Sequence, residues 1–170
     1  MDRKTQLMKI FSVHIRELLT ALPMKFDQLQ EIRLRAGRPL MLLYDNEERL
    51  IGNESGFVTE MSQAYRVSAQ EIQETMTFIS HYSIYAYEEE IRQGFLTIQG
   101  GHRIGLAGKV LSDQKGIRSI RPITFLNVRL AHQVQGCADS LMPWLYESGR
   151  PCHTLILSSP GCGKTTMLRD

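Results

Sequence analysis

The sequence predicts an α+β N-terminal domain over residues 1–150, followed at 151–170 by the first strand and phosphate loop of a truncated P-loop α/β NTPase domain. Three observations carry this. Segments with apolar residues three and four apart are interspersed with segments of period two, so helices and strands both build the first 150 residues. The chain closes on an apolar run, a glycine loop and helix-forming residues, in the order strand, loop, helix. Five residues follow Thr165, too few for the parallel sheet and crossover helices of such a domain, so the sequence reads as a front half.

Residues 3–22 are expected to form one amphipathic helix, because Leu7, Phe11, Ile15, Leu18 and Leu22 share a face and Pro23 stops it. Glu31-Ile32-Arg33-Leu34-Arg35 then alternates charged and apolar residues, a half-buried strand with both arginines on the side away from its apolar face. Gly37-Arg38-Pro39 turns the chain, Leu40 to Tyr44 is a second strand, Asp45-Asn46-Glu47 has turn chemistry, and Arg49-Leu50-Ile51 reads as a third strand. No periodicity organises Gly52 to Ala64.

Ser68-Ala69-Gln70-Glu71 is a capping box that opens a helix buried through Ile72, Met76 and Ile79. A second helix is expected from Ser83 to Gln93, with Ile84, Tyr87 and Ile91 inward and Gly94 closing it. Its Glu88-Glu89-Glu90 run reads as a solvated face, since helix neighbours point about 100° apart and cannot converge on one ion. Phe95 to Gln99, a Gly100-Gly101 turn and His102 to Ser112 form a hairpin. Its second strand carries Gly105 and Gly108, which weaken a strand unless they allow a bulge or the close approach of another backbone or ligand. After a turn at Asp113 to Gly116, a further strand is centred on Thr124 to Leu130. Ser140 to Ser148 is expected to be a helix burying Leu141, Trp144 and Leu145, with Pro143 in its first turn and Gly149-Arg150-Pro151 as the domain boundary. His153 to Ser158 is the strand feeding the loop.

That loop carries the chemistry. Leu155-Ile156-Leu157 delivers the chain to it, and Gly161 and Gly163 permit backbone conformations that turn successive amides inward. Lys164 is placed to reach the β- and γ-phosphates of ATP, and the Thr165 hydroxyl to hold Mg2+. The nucleotide-binding candidates are Ser159, Pro160, Gly161, Cys162, Gly163, Lys164, Thr165 and Thr166, with Thr165 also the metal ligand. The departure from G-x-x-x-x-G-K-[ST] is Ser158 at the first glycine position.

Composition narrows the class. An apolar fraction of 42% supports a packed core, no run approaches the ~18 apolar residues of a membrane span, and Arg16 and Glu17 lie where a signal peptide would be apolar. A soluble, cytosolic protein is expected. Cys137, Cys152 and Cys162 are odd in number and widely spaced, which fits reduced thiols rather than a disulfide framework or metal site. His102 and His132 find no third ligand and read as satisfied polar histidines. The net charge of +2 is too small to argue for nucleic acid, yet fourteen of the 20 basic residues are arginine, the side chain suited to bidentate contact with phosphate or carboxylate.

Four segments together make a resemblance specific: Glu31 to Pro39, Ile79 to Tyr87, Gly100 to Gly108, and Ser159 to Thr166. Over nearly its whole length the chain resembles the stage III sporulation protein AA family. The resemblance implies an ATPase of spore-forming bacteria, similar to the motor ATPases of type II and type IV secretion systems. It implies a mother-cell cytoplasmic location peripheral to a membrane complex, where the protein energises a channel between mother cell and forespore. It further implies a ring-shaped homo-oligomer, expected to be a hexamer, that uses ATP and Mg2+ and works with membrane channel proteins of the sporulation apparatus. Carried over by residue, Ser158 to Thr166 correspond to the ATP site, whereas the Walker B carboxylate and catalytic glutamate have no counterpart, so no catalytic residue is assigned. Hydrolysis also needs magnesium held on both sides and a positioned water, and this chain is expected to supply the phosphate clamp and one magnesium ligand. Secretion motors bring N-terminal arginines over the nucleotide, a role the resemblance offers to Arg33, Arg35, Arg38 or Arg103.

Two other readings belong to different classes. One is a non-catalytic docking module. The other is an arginine-rich nucleic-acid-binding domain, which ranks last because aromatic residues do not cluster on an arginine-bearing strand, so no direct nucleic-acid contact is expected.

Overall fold

The computed structural model describes residues 3–81, 83–114, 116–132, 136–159, 162–168 and 170, apart from the side chain of Ile84. The chain forms two compact units, Met1–Ala131 and His132–Asp170.

In the first unit the N-terminal apolar stripe is kept, with Leu7, Phe11, Ile15, Leu18 and Leu22 all buried. The expected single helix is instead two, α1 (Arg3–Met8) and α2 (Val13–Ala21). Arg16 is the reason the break is tolerated. Its Nε donates to the Met8 carbonyl at 3.1 Å and its Nη2 to the carbonyls of Lys9 at 3.1 Å and Phe11 at 3.0 Å, satisfying groups a continuous helix would have paired itself. The Ser12 amide donates to Thr75 Oγ1 at 3.1 Å rather than to a helix carbonyl.

Among the described residues, seven strands form one antiparallel sheet: β1 (Leu29–Arg35), β2 (Met41–Tyr44), β3 (Glu47–Ile51), β4 (Phe57–Val58), β5 (Phe95–Thr97), β6 (Arg103–Asp113) and β7 (Gly116–Arg129). Their order is β4-β3-β2-β1-β7-β6-β5. Local hairpins explain most of it. Asp45 and Asn46, both at positive φ, turn β2 into β3, and Gly100 and Gly101, also at positive φ, lie in the turn between β5 and β6. The joint is non-local: β7 returns to pair with β1, Glu31 against Arg129 and Leu34 against Leu126. On one face Ile32, Leu34, Leu42, Ile104, Leu126 and Val128 join a single core with the apolar sides of α1, α2 and α3 (Ala69–Ile79). Each such buried aliphatic side chain stabilises the fold by about 1.5–3 kcal/mol.

The capping box forms: Ser68 Oγ accepts from the Glu71 amide at 3.1 Å and Glu71 Oε2 accepts from the Ser68 amide at 2.8 Å. The helix expected from Ser83 to Gln93 is divided into a 3-10 turn, Ile84–Tyr87, and α4 (Glu88–Gln93), closed by Gly94 at φ +80°. Ile91 is buried and Tyr87 packs against the core; the expectation for the Ile84 side chain lies outside the described residues. β7 begins earlier than the period-two pattern indicates, because Pro122 interrupts that pattern while pairing with β6 runs on through Val110–Ile120 to Asp113–Gly116. Lys115, inside that turn, lies outside the described residues. Gly108 serves a close approach, since a Cβ there would stand 2.1 Å from the Pro122 carbonyl oxygen, beside register shifts in the β6–β7 ladder. Among the described residues no helix is long and apolar enough to cross a membrane.

The second unit corrects two expectations. The helix expected at Ser140 to Ser148 shrinks to α5 (Met142–Leu145), and Trp144, expected to be buried, is 80% exposed. Ser148 and Gly149, at φ +51° and +76°, close a two-residue hairpin between β8 (Tyr146–Glu147) and β9 (Arg150–Pro151); consecutive left-handed residues cannot continue a helix. Nor is His153 to Ser158 a strand: no strand is assigned there and none of the described residues pairs with it. A strand needs hydrogen-bonding neighbours, and without them Leu155 and Leu157 are 79% and 82% exposed.

Candidate nucleotide-binding site

The glycine loop ends in a left-handed residue, Gly163 at φ +78°, from which α6 (Lys164–Met167) begins. A non-glycine residue would be strained at that φ, so the sequence fixes the direction in which the chain enters α6. Lys164 follows at once and its ammonium group folds back over the loop. Nζ donates to the Ser158 carbonyl at 2.7 Å, to Ser158 Oγ at 2.9 Å and to the Ser159 carbonyl at 2.8 Å. All three donors of the ammonium are therefore held by two loop residues whose own oxygens are exposed to water. Ser158, the departure at the first template position, contributes two of those three acceptors.

Thr165 is exposed on the first turn of α6, Thr166 and Gly163 are half-buried, and Cys162 is an exposed free thiol. Pro160 and Gly161 lie outside the described residues. No group of three or more His, Cys, Asp or Glu among the described residues could hold a metal by itself. The donor set among the described residues suits a phosphate with its counter-ion: one cation and one hydroxyl of the type that ligates magnesium.

Within the same unit, Asp170 was not singled out by sequence. Its carboxylate accepts from the amides of Gly136 and Ala138, each at 2.9 Å. The Ala138 bond is the main cause of its lowered pKa, and partial burial together with the Asp170 charge pushes the Cys137 thiol upward, away from reactivity. Gly136, at φ +75°, takes in that turn the left-handed conformation that favours glycine.

The arginines of the first unit divide into two kinds. Arg33 is bound: its Nε and Nη2 each lie 2.9 Å from Glu31 Oε2, and Nη1 lies 2.6 Å from Glu48 Oε1. Arg129, from the far side of β1, adds Nε at 2.8 Å to Glu31 Oε1. Burial pushes the Glu31 carboxyl up, but the bonds and charges of Arg129 and Arg33 outweigh it and its pKa is lowered. Arg35 and Arg103 make no side-chain hydrogen bond or ion pair among the described residues; each lies over a phenyl ring instead, Arg35 over Phe125 at 4.8 Å and Arg103 over Phe95 at 4.6 Å. Arg38 is exposed in the turn after β1. The Phe partners come from neighbouring strands, which no local pattern could pair with the arginines. His102 is satisfied as expected, its Nδ1 accepting from the Ala131 amide at 3.0 Å.

Comparison with known proteins places the chain. The model of a family described as Sporulation stage III, protein AA matches residues 1–170. Stage III sporulation protein AA of Bacillus subtilis (strain 168) is 36% identical over 143 residues, which is 84% of this chain and 42% of that protein. The chain thus spans about two-fifths of the curated relative. Among solved structures, the X-ray structure of the Legionella pneumophila ATPase DotB aligns over 91% of this chain and 38% of that one, with 13% identity and a TM-score of 0.43, a likeness too slight to argue from.

Proposed function

Because this chain belongs to the sporulation stage III protein AA family, we propose that it carries the N-terminal domain and the phosphate loop of a sporulation motor ATPase, and that its own molecular activity is binding of Mg-ATP. The observation that carries the reading is the Lys164 ammonium drawn over the glycine loop by Ser158 and Ser159 at the point where Gly163 turns into α6. These are weak, exposed acceptors, and a triphosphate would replace them with charged oxygens. Lys164 would then hold the β- and γ-phosphates, loop amides from Gly161 to Thr166 would surround them, and Thr165 Oγ1 would ligate Mg2+. Magnesium held there would supply charge neutralisation on the phosphates.

The exposed Leu155 and Leu157 support the reading that residues 151–170 open a nucleotide-binding domain, while the compact units divide at Ala131, earlier than the boundary at 150 expected from sequence. A parallel sheet flanking Ile156 would cover both leucines, worth about 1.5–3 kcal/mol each. In the whole protein the same loop would power a ring-shaped oligomer, a hexamer, at the mother-cell side of a channel into the forespore.

A thermal melt of the chain with and without Mg-ATP tests the binding step. Ligand at a hundredfold excess over Kd stabilises by about 2.7 kcal/mol, and Lys164→Ala removes that shift while leaving the unliganded melt unchanged, since its bonds are exposed. No shift in the wild-type chain, with a longer chain responding, would leave the docking-module reading in its place.

A further inference from the structure

We propose that the sheet face opposite the helices of the first unit binds single-stranded nucleic acid, with Arg35 on Phe125 and Arg103 on Phe95 as paired base-stacking and phosphate-binding platforms.

The face follows from the strand registers. Ile32, Leu34, Leu126, Val128, Ile104 and Leu96 point into the core, so Arg33, Arg35, Phe125, Asn127, Arg129, Arg103 and Phe95 point the other way. Apart from Glu31, none of the residues directed to that side from β1, β5 or β7 is buried. Arg33, Arg35, Arg103 and Arg129 set four positive charges against Glu31 and Glu48, a surplus of two on this face of the sheet. The balance at the centre is already met, because Glu31 and Glu48 hold Arg33 and Glu31 holds Arg129.

The surplus resides in Arg35 and Arg103, and their geometry is particular. Each guanidinium rests on a ring at 4.8 or 4.6 Å, with no carboxylate partner among the described residues. A ring beneath restrains the guanidinium plane, leaving its other face for a nucleobase and its N–H edge for a phosphate. Between them the row Arg33, Asn127, Gly105, Phe95 runs across four strands. Gly105 leaves that row open, its absent side chain bordered by Asn127 at 4.0 Å. The Asn127 side-chain oxygen is buried with no hydrogen-bond partner among the described residues, and a rotation of the side chain toward that gap would offer its amide to a base edge.

Separation decides the class of ligand. From Arg35 to Arg103 is two strands across and four residues along, roughly 16 Å. One triphosphate cannot bind both edges and stack on both faces at that distance; a flexible polyanion carrying a planar group at every repeat can. An acidic peptide matches the charge but leaves both flat faces unused. The expectation against nucleic acid rested on the want of aromatics beside arginine on one strand, and here the rings come from the neighbouring strands instead.

The test is fluorescence anisotropy of a labelled 20-nucleotide oligouridylate with the full chain across a salt series. Binding is expected at 50 mM salt. Arg35→Ala/Arg103→Ala should weaken it at least tenfold and flatten the log-log salt slope by about 1.4, two phosphate contacts at about 0.7 each. Arg35→Lys/Arg103→Lys should keep the slope and still lose affinity, because an ammonium neutralises phosphate without offering a plane to stack on. Arg118→Ala, in the distal part of the β6–β7 hairpin and paired with Asp113, should bind as wild type. Absence of binding at 50 mM salt, loss equal in Arg118→Ala, wild-type binding by the double alanine variant, or displacement by polyglutamate as effective as by unlabelled oligouridylate would each overturn the proposal.

Discussion

Glu31→Gln removes the charge at the centre of the sheet while keeping its volume. Glu31 is 8% exposed, and its carboxylate accepts from Arg33 Nε at 2.9 Å and Arg129 Nε at 2.8 Å, with Arg33 Nη2 also at 2.9 Å from it. Breaking a buried ion pair from one side ordinarily costs about 3–5 kcal/mol. Here the loss is smaller, because Arg33 keeps Glu48 and the Arg129 side chain, 67% exposed, can return to water. About 2 kcal/mol remains, a fall in melting temperature of about 8 °C for a unit of this size. The pH dependence follows from the lowered Glu31 pKa. A group whose folded pKa is depressed contributes its stability above its unfolded pKa, about 4.3, and loses it as pH falls through the folded value. The gap between wild type and Glu31→Gln should therefore be full at pH 7 and close progressively below about pH 4.3. Urea melts from pH 7 to pH 3 measure it. A variant melting within 1 °C of wild type at pH 7, or a gap undiminished at pH 3, would refute the reasoning.

Two further perturbations test the fold. Gly108→Ala puts a Cβ 2.1 Å from the Pro122 carbonyl and 2.9 Å from the Ile123 Cα, both backbone atoms, so the β6–β7 ladder must shift. A loss of about 1–3 kcal/mol in denaturant unfolding is expected, while Gly105→Ala, whose nearest contact is 4.0 Å, should be much milder. Ser68→Ala removes one half of the capping box and should cost about 1 kcal/mol, seen as earlier amide exchange in the first turn of α3.

The sequence was most informative where one segment settles its own fate. The capping box, the Gly94 stop, the Gly100-Gly101 turn and the period-two alternation of β1 are local, and each formed. It misled where a local pattern was outvoted. The apolar stripe of residues 3–22 is continuous, yet Arg16 and Thr75 support a break that periodicity cannot register. Leu141, Trp144 and Leu145 have helical spacing, but two left-handed residues at Ser148 and Gly149 turn the chain into a hairpin instead.

By itself, then, the sequence determined the α+β class, the edges of its best-capped helices, and the position of Lys164 directly after a glycine loop, because each depends on neighbours within a few residues. It also carried the family, since that resides in ordered segments rather than in contacts. Only the tertiary structure decided that Glu31 meets Arg129 across 98 positions, that Arg35 and Arg103 lie on rings from adjacent strands, and that Leu155 to Leu157 has no strand partner among the described residues. Those depend on which strands pair. In an antiparallel sheet closed by β1 and β7, pairing is set by burial of the whole core and not by any one segment.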